Sequence, residues 1–167
     1  IRPVPRVQSL FLSNRSQLAT ASLLLGVGIL YLNSFPAAFH FDDYALILQN
    51  PMVTEDFPYR AFLEQYGGRP LTLWTFRWNY LISGPSPWAF HLVSVLLHTL
   101  GVILLFHLIR NQFQNPGMAF VTALIFGFHP LQTQAVNYIW ARSVILMGCF
   151  VLGALLLAPQ RPRLSIL

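Results

Sequence analysis

The sequence predicts an all-α, multi-pass membrane helix bundle of about four spans, whose long extracytoplasmic first loop bears short interfacial helices. Three observations predict it. Charged residues make up 9% of the chain against 55% hydrophobic, whereas soluble domains carry about 25% charged residues. Apolar runs of spanning or near-spanning length recur along the chain, each bounded by arginine, proline or polar residues. Finally, all five acidic residues fall between Asp42 and Glu64, in the stretch between the first two runs.

Residues 1–15 carry Arg2, Arg6 and Arg15 with two prolines and read as a cytoplasmic leader. The partial membrane domain covers 16–158. Its first span, about 16–32, is uncharged and ends at Asn33-Ser34-Phe35-Pro36. The loop 33–86 follows, where Tyr59–Tyr66 and Leu71–Ile82 are expected as short helices separated by Gly67-Gly68. Trp74, Trp78 and Leu81 recur at helical spacing in the second of these, and aromatic rings beside Arg77 suit the headgroup zone. The alternative is an amphipathic helix packed on the loop's own core.

The second span, about 87–109, starts at the interfacial anchor Trp88 and ends at Arg110. The third, about 117–129, is too short to cross alone. It must start earlier, sit in thinned bilayer or be shielded by neighbours. His129-Pro130 ends it, Leu131–Arg142 is a partly polar helix, and about 143–158 is the last span. Residues 159–167, with Arg161 and Arg163, read as a cytoplasmic tail.

All ten basic residues are arginine. They flank the apolar runs instead of clustering, so the net charge of +5 serves membrane orientation and not nucleic-acid binding. With the leader inside, the acidic loop faces the extracytoplasmic side. The single cysteine, Cys149, excludes an intrachain disulfide.

Asp42-Asp43 is the leading candidate for chemistry. Adjacent side chains point in different directions, so one carboxylate can face a reaction centre while the other is held by a partner. Partial desolvation near the membrane makes such a carboxylate a better general base. The alternative is a solvated pair that merely ends a span. For a divalent metal, His40, Asp42 and Asp43 lie close in sequence and His129 could approach from another helix. No HxxxH or ExxH spacing supports this, so metal stays a minor alternative and no cofactor is assigned. His91 and His98, with Ser94 and Gly101, mark one small polar stripe suited to helix packing. Arg69, in Gly67-Gly68-Arg69-Pro70, and Arg142, at the head of the last span, are candidate phosphate binders because a guanidinium offers a bidentate fork. Interfacial snorkelling or pairing with a loop acid would explain either equally well.

Four ordered segments then read together: Phe41-Asp42-Asp43-Tyr44 with Asn50-Pro51; Arg69-Pro70-Leu71-Thr72 with Thr75-Phe76-Arg77-Trp78-Asn79-Tyr80; Trp88-Ala89-Phe90-His91-Leu92 with Leu97-His98; and His129-Pro130-Leu131-Gln132-Thr133-Gln134-Ala135-Val136 with Ala141-Arg142-Ser143. Over about residues 17–158 this order resembles the N-terminal part of the membrane domain of the transmembrane and tetratricopeptide-repeat O-mannosyltransferases and their bacterial relatives, a branch of the C-type glycosyltransferases. The resemblance implies transfer of a sugar, mannose or another hexose, from a polyprenyl-phosphate donor to a protein or glycan hydroxyl, with inversion. It implies Asp42 and Asp43 as the catalytic motif, one of them the general base. It further implies Arg69 and Arg142 at the donor phosphate, and His129 and Gln134 at the substrate. Gln134 stands where an acidic residue often follows in that family. The bacterial inner membrane is the expected location, with the loop periplasmic; the endoplasmic reticulum, with the loop lumenal, is the alternative. The competing functional class is a non-enzymatic membrane scaffold or subunit, or an inactive truncated relative.

Overall fold

The computed structural model describes residues 14–56, 58, 60 and 69–158, and among them only helices and connecting turns occur. Residues 1–13 of the expected leader, most of the Tyr59–Tyr66 helix and the expected tail lie outside the described residues, and the leader's last two residues open the first helix.

Helix α1 (Asn14–Leu30) runs into a single 3₁₀ turn at Leu32–Ser34, just before Pro36. The loop then forms a π-type turn over Tyr44–Leu48 and a one-turn helix α2 (Pro51–Thr54). Asn50 starts α2 because its side chain accepts the Met52 N–H at 3.0 Å, and Pro51 occupies the first helical position, where no N–H is needed. Proline likewise opens α3 (Pro70–Ser83). Gly84 ends α3 with φ +58°, in the left-handed region that favours glycine.

Helix α4 (Trp88–Phe113) is the axis of the bundle, and at 26 residues it is about 39 Å long. It packs against α1, α3, α5 (Pro116–Phe128), the short α6 (Gln132–Asn137) and α7 (Arg142–Leu157). Three helical stretches are apolar and long enough to cross a membrane: Ser16–Ser34, Trp88–Phe113 and Ile139–Leu157.

The third expected span differs. Asn115 caps α5 by accepting the Met118 N–H at 3.0 Å, with Pro116 next, so the helix cannot start earlier. Its 13 residues reach only about 20 Å, short of a hydrocarbon core of about 30 Å. Neighbours supply the shielding on one side only. Ala119, Ala123 and Gly127 face α1 and α4, while Val121, Ile125 and Met118 are exposed on the opposite face.

Small residues set the close approach of these helices. A Cβ on Gly127 would lie 3.0 Å from Val102 and 3.2 Å from Val27, so the backbone of α5 wedges between side chains of α4 and α1. The core below is built from Leu23, Val27, Val102, Phe106, Ala123 and Ile145. A second core sits at the loop end, where Phe39, Ile47, Met52, Leu73, Phe76 and Phe90 pack together. Helix α3 presents Leu73 and Phe76 to that core and exposes Trp78, Leu81 and Ile82 on its other face. Helix α3 therefore packs on the loop's own core, as the alternative reading has it, and carries an outward aromatic and aliphatic face.

The histidine stripe ties elements across the bundle. Nε2 of His91 lies 3.2 Å from the Ala37 carbonyl in the loop, and Nε2 of His98 lies 3.2 Å from the Gly127 carbonyl at the end of α5.

Candidate functional site

The end of α1, the start of α4, the end of α5 and the start of α7 meet on the loop side of the bundle. At the opposite end, Arg110 donates to the Ser16 hydroxyl at 2.5 Å. Adjacent Asp42 and Asp43 lie on the loop side, in contrasting environments. Asp43 is wholly buried. Its Oδ2 accepts the His40 N–H at 3.0 Å, and its Oδ1 accepts the Trp140 N–H at 2.8 Å. Burial pushes this carboxyl above its ordinary range, while the His40 and Trp140 N–H groups favour the charged form and pull it back. Asp43 therefore joins the first loop to the head of the last span.

Asp42 is exposed, and its Oδ2 accepts the Tyr138 hydroxyl at 3.0 Å. Burial, then the hydrogen bond and the charge of Asp42, push the Tyr138 phenol above 10, so it stays a donor at neutral pH. Asp42 lines an open cleft of about 650 Å³ with Phe41, Thr133, Gln134, Asn137 and Tyr138, and His40 also borders it. That volume lies within the range of small-molecule sites. The cleft's far wall is held in place where Ser34 donates to Asn137 Oδ1 at 2.6 Å, linking the 3₁₀ turn after α1 to α6.

Of the residues singled out in the sequence, Asp42 and Gln134 come together in this cleft. His129 is exposed beyond its lining, and its Nδ1 accepts the Leu131 N–H at 3.2 Å. Among the described residues, no three His, Cys, Asp or Glu side chains converge to hold a metal ion.

The two arginines separate sharply. Arg142 is wholly buried. Its guanidinium donates to Asn79 Oδ1 (2.6 Å), the Phe90 carbonyl (2.7 Å), Thr75 (3.1 Å) and Ser94 (3.4 Å), and stacks 4.4 Å from the Phe76 ring centre. The guanidinium expected at a phosphate is enclosed here, bonded to groups of α3 and α4.

Arg69 is exposed at the start of α3, 5.3 Å above the Trp140 ring. It heads a groove of about 420 Å³ lined by Pro70, Leu71, Ser143, Met147 and Phe150. Met147 and Phe150 are exposed on the outer face of α7, so the groove runs from a cation onto an apolar surface.

Tyr138, Asn137 and Trp140 were not legible as site residues. Trp140 is the hinge between the two regions, with its N–H on Asp43 and its ring under Arg69. These contacts span 97 residues to Asp43 and 71 to Arg69, and no local spacing announces them.

No protein-family model matches the chain, and no solved structure matches it. Among curated proteins, it is 36% identical over 152 residues to human protein O-mannosyl-transferase TMTC1, covering 81% of this chain and 17% of that protein. It is 34% identical over 141 residues to Xenopus laevis protein O-mannosyl-transferase tmtc2, covering 77% and 17% respectively. The mouse protein O-mannosyl-transferase TMTC3 is 32% identical over 143 residues, covering 78% and 15%. The chain thus spans less than a fifth of the length of these relatives.

Proposed function

As a segment that belongs to the family of TMTC protein O-mannosyl-transferases, this chain has a functional reading, and we propose that it is the catalytic-loop portion of a membrane mannosyltransferase. The donor is a polyprenyl-phosphate mannose and the acceptor a protein hydroxyl. Asp42 is the general base. It removes the acceptor proton, the acceptor oxygen attacks the anomeric carbon with inversion, and the C–O bond to phosphate breaks with its electron pair leaving on the phosphate. The single observation that carries this reading is the division of labour in the acidic pair. Asp43 has both oxygens engaged by backbone N–H groups and no exposed surface, while Asp42 opens onto the cleft.

The groove under Arg69 supports the donor part of the reading. A polyprenyl tail suits its apolar stretch, and the exposed guanidinium suits a phosphate. Trp140 then stands between the donor phosphate and the acidic pair. Arg142, enclosed by protein, positions α3 and α4 beneath them. Gln134 lines the substrate cleft beside Asp42, and His129 stands just beyond it. The membrane is an extracytoplasmic-facing compartment boundary with the loop on its outer side. The animal origin of the relatives gives no support to a bacterial inner membrane, and the endoplasmic reticulum, loop lumenal, is the placement we adopt.

The test is transfer of radiolabelled mannose from polyprenyl-phosphate mannose to an acceptor peptide by membranes bearing the protein. Asp42→Asn is expected to abolish transfer while insertion and expression stay normal. Full activity in that variant would remove Asp42 as the base.

A further inference from the structure

Phe41 is the most anomalous residue at the site. Its φ is +46°, a region rarely occupied by a bulky residue, and its side chain is 88% exposed. The strain has a visible origin. His40 and Asp43 bond reciprocally, with the Asp43 N–H on the His40 carbonyl at 2.9 Å and the His40 N–H on Asp43 Oδ2 at 3.0 Å. This closes a tight ring of backbone and leaves Phe41 near its apex. Both costs, a strained backbone and a solvated ring, persist at functional sites where the exposed group serves a ligand.

The ring stands at the cleft mouth, 6.5 Å from the Tyr138 ring and at 88° to it. The two faces form an aromatic corner, and Tyr138 is fixed there by its bond to Asp42. Opposite lie uncharged polar groups, Thr133, Gln134 and Asn137. Ser34 already engages Asn137 Oδ1, so the amide NH₂ is what Asn137 offers a ligand. The lining contains one carboxylate and no arginine, which disfavours phosphate. Aromatic faces, neutral amides and a hydroxyl are the chemistry that takes a neutral polyhydroxylated ring, apolar C–H face on the aromatics and hydroxyls on the amides.

We propose that Phe41 and Tyr138 form the sugar-ring subsite, stacking on a hexopyranose whose hydroxyls are read by Thr133, Gln134 and Asn137. This rests on the sugar-transfer reading and deepens it by fixing where the hexose sits, separate from the Arg69 groove.

The protein in lipid nanodiscs, titrated with methyl α-mannopyranoside and followed by saturation-transfer NMR, tests it without requiring turnover. Phe41→Gly is expected to weaken binding about tenfold, the equivalent of one lost aromatic contact. Its thermal midpoint should stay level or rise, because glycine relieves the positive φ. A purely structural Phe41 would give the opposite pattern. Phe41→Trp should keep the sugar, since it retains a ring at that corner. Sugar binding lost in Phe41→Gly by a protein that shows no transfer leaves the subsite standing and fails the enzyme reading. Transfer with an unchanged sugar affinity in Phe41→Gly keeps the enzyme and overturns the subsite. Absence of sugar binding by the unmutated protein overturns the subsite, and so does a Phe41→Gly variant that loses only acceptor-peptide binding.

Discussion

Replacing Arg142 by methionine asks how much the buried guanidinium holds the loop end together. Methionine keeps most of the aliphatic volume and removes the fork. Two acceptors then lose their shortest partners: Asn79 Oδ1 at 2.6 Å and the Phe90 carbonyl at 2.7 Å. Each buried acceptor left unsatisfied costs about 1–3 kcal/mol. The Thr75 hydroxyl suffers less, because it already donates to the Thr72 carbonyl at 2.7 Å, and the 3.4 Å Ser94 contact is weak. Loss of the stacked cation over Phe76 adds about 1 kcal/mol. Against these stands the desolvation cost of burying a charge, which methionine relieves and which partly offsets the losses. The expected net destabilisation is about 3 kcal/mol, read by denaturant titration of the detergent-solubilised protein with tryptophan fluorescence. Lysine, which keeps the charge without the planar fork, should fall between the two. A methionine variant within about 0.5 kcal/mol of the parent would refute the idea that Arg142 organises this end of the bundle.

Three other expectations follow from the geometry. Burial raises the Asp43 carboxyl above its ordinary 3.8, so the folded state binds this proton more tightly than the unfolded chain. Its contribution to stability is therefore full below pH 3.8 and is lost as pH rises through the raised value; Asp43→Asn should remove that slope from midpoint-versus-pH measurements. Gly127→Ala places a Cβ 3.0 Å from Val102 and 3.2 Å from Val27 and should cost about 1–3 kcal/mol by overpacking. Gly26→Ala meets only the far end of the Phe128 ring at 2.6 Å. That ring can swing aside, so thermal melts should show this variant level with the parent or slightly more stable.

Hydrophobic run length was enough to read an all-α membrane bundle, because a membrane span leaves a one-dimensional record of its own length. Helix α5 was readable as short for the same reason, since Asn115-Pro116 and His129-Pro130 mark its ends. The site was only half legible. Asp42-Asp43 stood out by composition, but nothing local told the exposed carboxylate from the enclosed one. That distinction comes from the Trp140 N–H, 97 residues away. The enclosure of Arg142 was hidden for a related reason. A charge at the head of a span reads as a ligand-binding group, and the partners that enclose it are a neutral amide, two hydroxyls and a carbonyl on other helices, which carry no charge pattern to announce the pairing.

The hydrogen bond from Trp140 to Asp43 also sets an order of events during synthesis. The two residues are 97 positions apart, so at about 5–20 residues per second the ribosome needs roughly 5–20 s to travel from one to the other. Throughout that interval the first loop has been made while the backbone amide that closes its acidic turn does not yet exist. Asp43 must wait in water, charged and solvated, until the turn that leads into α7 arrives and encloses it. The acidic turn acquires its shape only when α7 docks, so its closure doubles as a check that α7 has reached its place beside α4.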